Sequence, residues 1–219
     1  MIVTIDGPAG AGKSSAAREL ARRLGFRFLD TGAMYRAVAF NGLRRGIDLT
    51  DEAALERVAR DAKIEIGDNY VRLDGEEVTR DIRTVEVTAA TGHAAANVGV
   101  RRLLVELQRR HTAGGDFVTE GRDQGTVVFP DAECKIFLTA TPAERARRRR
   151  EDLAARGQQL SLEEVLEAQN RRDHDDAARE VGPLRRADDA VEVVTDGMSP
   201  KEVVDCLEAL VRARMPSGE

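Results

Sequence analysis

The chain has 219 residues, with 34 Lys and Arg against 39 Asp and Glu, a formal net charge of −5. That length fits one α/β domain with a small insertion and is enough to bury a core without staples. The acidic balance argues against non-specific nucleic-acid or membrane binding. Two distant cysteines, Cys134 and Cys206, carry no metal-type spacing. No signal peptide opens the sequence and no apolar run approaches membrane-spanning length, so the expected setting is soluble and cytoplasmic.

In chain order, a β-branched run, Ile2 to Ile5, leads into Asp6-Gly7-Pro8-Ala9-Gly10-Ala11-Gly12-Lys13-Ser14. An amphipathic helix is expected from Ser15 to Leu24. Gly7, Gly12, Lys13 and Ser14 fall at the spacing G-x-x-x-x-G-K-[ST] between a strand and a helix, which is the context a phosphate-binding loop requires. Glycines let successive N–H groups turn inward on phosphate oxygens, and the helix start adds its free amides and positive dipole end. The loop from Gly7 through Pro8, Ala9, Gly10, Ala11 and Gly12 to Lys13, Ser14 and Ser15 is therefore the candidate ATP site. Lys13 reaches for the terminal phosphates and Ser14 for Mg²⁺.

A second strand, Phe26 to Leu29, precedes Asp30-Thr31-Gly32 and a helix from about Ala33 to Arg45; another helix follows from Glu52 to Asp61. Between Lys63 and Asp81, short alternating runs separated by Gly67-Asp68-Asn69 and Asp74-Gly75 predict a small antiparallel meander, too small to stand alone. Helical pattern returns from Val85 to His111 with a break near Asn97-Val98-Gly99. Further strands are expected at Phe117–Thr119, Lys135–Thr139 and Val191–Thr195. Helices are expected at about Pro142 to Arg156, Ser161 to Asp176 and Pro200 to Arg214, with a frayed tail from Met215 to Glu219. Strands alternating with helices imply a parallel sheet covered on both faces.

In such a sheet ligands bind beyond the carboxyl ends of the strands. The segment after the second strand carries Thr31, Tyr35 and Arg36, and the segment after the third carries Arg122 and Asp123. Two arginines at strand-end positions suit a second phosphate group, held bidentately. Arg145, Arg148 and Arg149 share one helix face, which suggests a mobile cationic lid, whereas Arg147 and Arg150 read as solvated charge. Arg172, Asp176 and Arg179 recur at i, i+4 and i+7. His93, His111 and His174 lack a partner nucleophile or a ligand spacing. The sequence shows no N-K-x-D motif and no D-x-x-G switch, which speaks against a nucleotide-switch GTPase. Another small-molecule kinase on the same scaffold remains the nearer alternative.

The stretches Ile5–Ser15, Leu29–Arg36, Glu120–Pro130 and Arg172–Arg179 closely resemble the bacterial cytidylate kinases, and the resemblance covers essentially the whole chain. It implies a three-layer P-loop NTPase fold with a five-stranded parallel sheet and a small antiparallel insertion. The implied division is a core over 1–30, 112–142 and 180–215, an acceptor-binding region over 31–111 with its insertion at 63–81, and a lid over 145–175. The implied reaction transfers the ATP γ-phosphate to CMP or dCMP with Mg²⁺, in a monomer that binds neither nucleic acid nor membrane. By motif, Arg36 and Arg122 resemble ligands of the acceptor phosphate. Arg101, Asp123 and Arg179 resemble residues that recognise cytosine, Arg172 and Asp176 those that hold the ribose, and Arg148 and Arg149 lid arginines. The chain departs from the pattern at Gly92, where the family usually has a base-contacting serine; Thr91 or a bridging water could replace that contact.

Overall fold

The computed structural model describes residues 1–155 and 157–215. Residue 156, at the expected end of one helix, and most of the tail expected to fray, 216–219, lie outside the described residues. The first half of the chain gives β1 (Ile2–Asp6), α1 (Lys13–Leu24), β2 (Arg27–Asp30), α2 (Thr31–Arg44), α3 (Glu52–Asp61), β3 (Ile64–Ile66), β4 (Val71–Leu73), β5 (Glu76–Glu77), α4 (Val85–Ala96) and α5 (Val98–Thr112). The second half gives β6 (Phe117–Gly121), β7 (Cys134–Thr139), α6 (Pro142–Ala155), α7 (Leu162–Ala177), β8 (Val191–Val194) and α8 (Pro200–Arg212). The fold is α/β: a five-stranded parallel sheet, order β2-β6-β1-β7-β8, with helices on both faces, and a separate three-stranded sheet, order β3-β4-β5. No helix among the described residues is long and apolar enough to cross a membrane.

The chain divides into two compact units, one of Met1–Phe26 with the chain from Phe117, the other of Arg27–Asp116. In the first unit, β1 lies between β6 and β7, with Ile5 opposite Glu120 and Ile136, and Asp6 opposite Gly121 and Phe137. This register brings the ends of three strands level, so the loops that follow them share one rim. Val3, Ile5, Phe117, Val118, Ile136 and Leu138 are almost wholly buried, as continuous apolar strands covered on two faces must be. α1 packs against α8, and Arg23 ties them through Asp205 (2.6 Å) and Glu208 (3.2 Å). α6 and α7 pair around Ala146, Leu153 and Val165.

The second unit is built by local capping as much as by packing. Asp30, Asp51, Thr84 and Asn97 each accept a backbone N–H in the first turn of α2, α3, α4 and α5. Asn97 supplies the expected break between α4 and α5, and its side chain also donates to the Glu52 carbonyl at 2.9 Å. In the meander, Ile64 and Ile66 pair with Leu73 and Val71, and all four are buried, while Glu65 and Arg72 face outward.

Most element boundaries differ from the sequence expectation by one or two residues, and two of these shifts lie at the site. α1 starts at Lys13 because Gly12 (φ +85°) turns the chain directly into the helix, and α2 starts at Thr31 because Asp30 caps it. A π-helical turn over Gln124–Val128, absent from the expectation, closes with Phe129 N–H donating to the Gln124 carbonyl at 2.7 Å.

Candidate active site

The phosphate loop leaves β1 through Gly7, whose φ of +149° and position leave no room for a side chain: an added Cβ would lie 2.0 Å from the Leu138 carbonyl oxygen of β7. Gly10 (φ +79°) is pressed against Arg145, where an added Cβ would stand 3.3 Å from the arginine Cβ. The loop is thus shaped by backbone contacts on its outer side, leaving amides of Lys13 and Ser14 at the start of α1 as anion donors.

Lys13 is 5% exposed and donates to the Pro8 carbonyl at 2.7 Å. Burial first, and then the charge of Arg122, push its pKa from 10.5 down to about 7. Ser14 Oγ donates to Glu120 Oε1 at 2.8 Å, so a hydroxyl and a carboxylate stand together at the helix start. Asp6, at the end of β1, is 4% exposed. Burial raises its pKa from 3.8 to about 7, against the pull of N–H groups from Gly125 and Gln124; nearby Asp123 raises it and Lys13 lowers it.

Beyond β6 the turn carries Arg122 and Asp123. Arg122 Nε donates to Asp176 Oδ2 at 2.6 Å and its Nη1 to the Gly121 carbonyl at 3.2 Å. Asp176, on α7, also pairs with Arg179. Burial pushes the Asp176 carboxyl up, but the charges of Arg122, Arg179 and Arg172 outweigh that and hold it below the usual range. The structure therefore brings Arg122, Arg172, Asp176 and Arg179 together around one buried carboxylate, as the i, i+4, i+7 spacing suggested for three of them.

The arginine face of α6 behaves differently from the expectation of a uniform cationic lid. Arg145 is 5% exposed and spent on the phosphate loop: its Nη1 donates to the Ala9 carbonyl (2.8 Å) and to Asp173 (2.6 Å), and its Nε to the Ala140 carbonyl (3.1 Å). Asp173 in turn accepts the Ala9 N–H at 3.2 Å. Arg148 bonds Glu144 (2.7 Å) and both the hydroxyl and carbonyl of Thr195 (2.9 and 2.7 Å). Arg149 is half-buried and makes no ion pair among the described residues. Arg147 bridges Glu144 and Glu151 on the solvent side, the surface role expected of it.

Within the other unit, Thr31 and Tyr35 are buried on α2. Arg36 donates to both oxygens of Asp30 (3.1 and 3.3 Å), and Arg83, which the sequence reading passed over, donates to the same carboxylate at 2.8 Å. Arg101 is 2% exposed, with its guanidinium 5.7 Å from the centre of the Tyr35 ring and its Nη1 on the Ala95 carbonyl (3.2 Å). Gly92 sits exposed on α4, with no atom within 4 Å of an added Cβ. The Thr91 hydroxyl donates to the Val87 carbonyl of its own helix at 2.6 Å.

Sequence reasoning missed Asp6 and Asp173, and it placed Arg145 on a cationic face without its bonds to Ala9, Ala140 and Asp173. Asp6 could have been found as a charged residue closing an otherwise apolar central strand. Asp173 could have been found as the residue three before Asp176, on the same helix face.

The family model described as cytidylate kinase matches residues 3–213. The chain is 53% identical to the cytidylate kinase of Rhodopirellula baltica (strain DSM 10527 / NCIMB 13988 / SH1), covering 97% of this chain and 93% of that one. It is 49% identical to the cytidylate kinase of Pelotomaculum thermopropionicum (strain DSM 13744 / JCM 10971 / SI), covering 96% of each. Among solved structures, shikimate kinase from Bacteroides thetaiotaomicron superposes with a TM-score of 0.51 at 13% identity, covering 97% of this chain and 98% of that one, a likeness of fold alone. A phosphate loop on an α/β sheet, and relatives this similar over nearly their full length, place the chain in the cytidylate kinase family, and it is a kinase.

Proposed function

We propose that the protein transfers the γ-phosphate of ATP to CMP and dCMP, yielding CDP and dCDP, as a monomer in the cytoplasm. The observation that carries this reading is the arginine cluster on Asp176, in the same unit as the phosphate loop. A triphosphate loop alone serves many enzymes; a loop accompanied by Arg122, Arg172 and Arg179 suits a second, phosphorylated substrate. By motif, Arg36 joins Arg122 on the acceptor phosphate, Arg172 and Asp176 hold the ribose, and Arg101, Asp123 and Arg179 read the base. Thr31 and Tyr35 border that acceptor site. Gly7 to Ser15 hold ATP.

An acceptor phosphate is already an anionic nucleophile, so no strong general base is required. Catalysis rests on in-line positioning and on neutralising charge as the phosphoryl group passes across. Lys13 and Arg122 supply that positive charge, joined by Arg148 and Arg149 once α6 and α7 fold over the nucleotide and exclude water. For Arg148 this means exchanging Glu144 and Thr195 for phosphate oxygens.

The residues present fit Mg²⁺. Ser14 Oγ and the Glu120 carboxylate, 2.8 Å apart, are hard oxygen donors. The described residues contain no group of three or more acidic, histidine or cysteine side chains that would form an all-protein cage, as suits an ion held mainly by phosphates and water. Ser14, with Glu120 beside it, would hold Mg²⁺, which would supply positive charge against the phosphates of ATP.

The direct test is ADP release from ATP with CMP, dCMP, UMP, AMP, shikimate and cytidine supplied in turn. Release that depends on CMP or dCMP is the expected result. Acceptor-independent hydrolysis, or turnover with shikimate or cytidine in place of the monophosphates, overturns the reading.

A further inference from the structure

The turn that carries Arg122 and Asp123 is short and irregular, and its first amides, those of Gln124 and Gly125, are held from outside it. β6 ends at Gly121, and the π-helical turn starts at Gln124. The residue in its capping position, Asp123, places no side-chain hydrogen bond on it. A helical start normally needs an acceptor for its first free N–H groups. Here that acceptor comes from another strand. Asp6 Oδ1 accepts the Gln124 N–H at 2.8 Å, and Asp6 Oδ2 accepts the Gly125 N–H at 2.7 Å. Both carboxylate oxygens are engaged by two successive amides, a geometry that fixes the orientation of the turn as well as its distance.

Packing fixes the same turn from the other side. A Cβ on Gly125 would come 2.9 Å from Thr4 Oγ1 and 3.4 Å from Asp6 Oδ2, so the turn lies flat against β1. A Cβ on Gly121 would meet Gln124 Cγ at 2.8 Å. Arg122 and Asp123 are thus clamped between a strand end paired to Asp6 and two amides bonded to Asp6. The eight residues after Asp6 are the phosphate loop and the first turn of α1.

We propose that Asp6 is a positioning residue for phosphoryl transfer, joining the turn that aims Arg122 to the strand that feeds the phosphate loop. It touches neither nucleotide. A carboxylate at 4% exposure is costly to bury, and an apolar side chain would fill the place more cheaply for folding alone. What only a two-oxygen acceptor provides is simultaneous capture of both amides. Asp6→Asn keeps the shape but turns an NH₂ group toward one N–H donor, releasing one of the two anchors. Because misplacing a catalytic group by about 1 Å can cost on the order of a hundredfold in rate, the loss should appear in turnover.

This inference rests on the kinase reading above, so wild-type turnover with CMP is established first; its absence would count against that reading and not against the role of Asp6. The experiment is a double-mutant cycle of Asp6→Asn and Arg122→Ala, with kcat and the KM for CMP and for ATP measured in each protein. Asp6→Asn is expected to lower kcat by tenfold or more and raise the KM for CMP, with the KM for ATP changed less than threefold. In the Arg122→Ala background it should cost less than threefold further, because the group it positions is gone. Gly125→Ala, whose Cβ crowds Thr4 and Lys135 and lifts the turn off β1 while Asp6 keeps its carboxylate, should reproduce the pattern and carries the cycle if Asp6→Asn does not fold. Additive losses across the cycle, or a KM for ATP that rises as much as that for CMP, would overturn the proposal.

Discussion

Lys13 offers a test that reads the electrostatics of the loop directly. In the free protein its ammonium is buried, bonded to the Pro8 carbonyl, and pushed from 10.5 to about 7 by desolvation and by Arg122. That depression corresponds to about 5 kcal/mol of differential interaction between its two protonation states. A bound polyphosphate supplies the counter-charge the site lacks and returns the pKa to its ordinary range or above. At pH 8 the free lysine is mostly neutral and the bound one charged, so ATP binding should take up most of one proton, and Lys13 should contribute less as the pH falls below 7. Asp6, also raised to about 7, is controlled for by repeating the titration in Asp6→Asn. Calorimetric titration with a non-hydrolysable ATP analogue, in two buffers of different ionisation enthalpy at pH 8, gives the proton count. Affinity should weaken up to tenfold per pH unit above 7. A heat independent of the buffer, or an uptake that persists in Lys13→Met, refutes the reasoning. The sign carries over to stability: a lowered lysine pKa gives a contribution that is complete above 10.5 and lost as pH falls through about 7. Lys13→Met should therefore make the unliganded protein more stable at pH 7 while abolishing turnover, which is the trade expected of a strained functional group.

Two further substitutions bear on the site. Arg145→Met removes a buried guanidinium that joins Ala9, Ala140 and Asp173 and leaves a carboxylate at the phosphate loop without its cation. Urea unfolding should show a loss of about 3–5 kcal/mol, with an increased KM for ATP, and a loss below about 1 kcal/mol would deny the strut its structural weight. Gly92→Ser places a hydroxyl in open space on α4 and replaces a poor helix former, so stability should rise by roughly 0.5 kcal/mol. The KM for CMP should fall while that for ATP holds; an unchanged ratio of CMP to UMP turnover would mean that position 92 does not meet the base.

The elements legible from the sequence are those whose signal is local. The β-branched run before Gly7, the helical period after Ser14, the alternation around Ile64 and Leu73, and the capping residues Asp51 and Asn97 each announce themselves within a few residues. The phosphate loop is legible for the same reason, since its glycines and Lys13 act through the backbone of one continuous segment. What stayed hidden is the partner of each arginine. Spacing put Arg145, Arg148 and Arg149 on one face, but whether a guanidinium is a free cation or a structural clamp depends on which carboxylates and carbonyls the fold carries to it. Asp173 reaches Ala9 across 164 residues of chain, Asp176 reaches Arg122 across 54, and Asp6 reaches Gln124 across 118. Asp173 looks like ordinary surface charge in the sequence, and the apolar strand before Asp6 tells of its burial but not of the amides it holds. Asp173 shapes the phosphate loop through the Ala9 amide and Arg145, and Asp6 shapes the turn that carries Arg122 through the Gln124 and Gly125 amides. Motif spacing found the arginines, and with them Asp176; the structure added Asp6 and Asp173, whose partners lie far away in the chain.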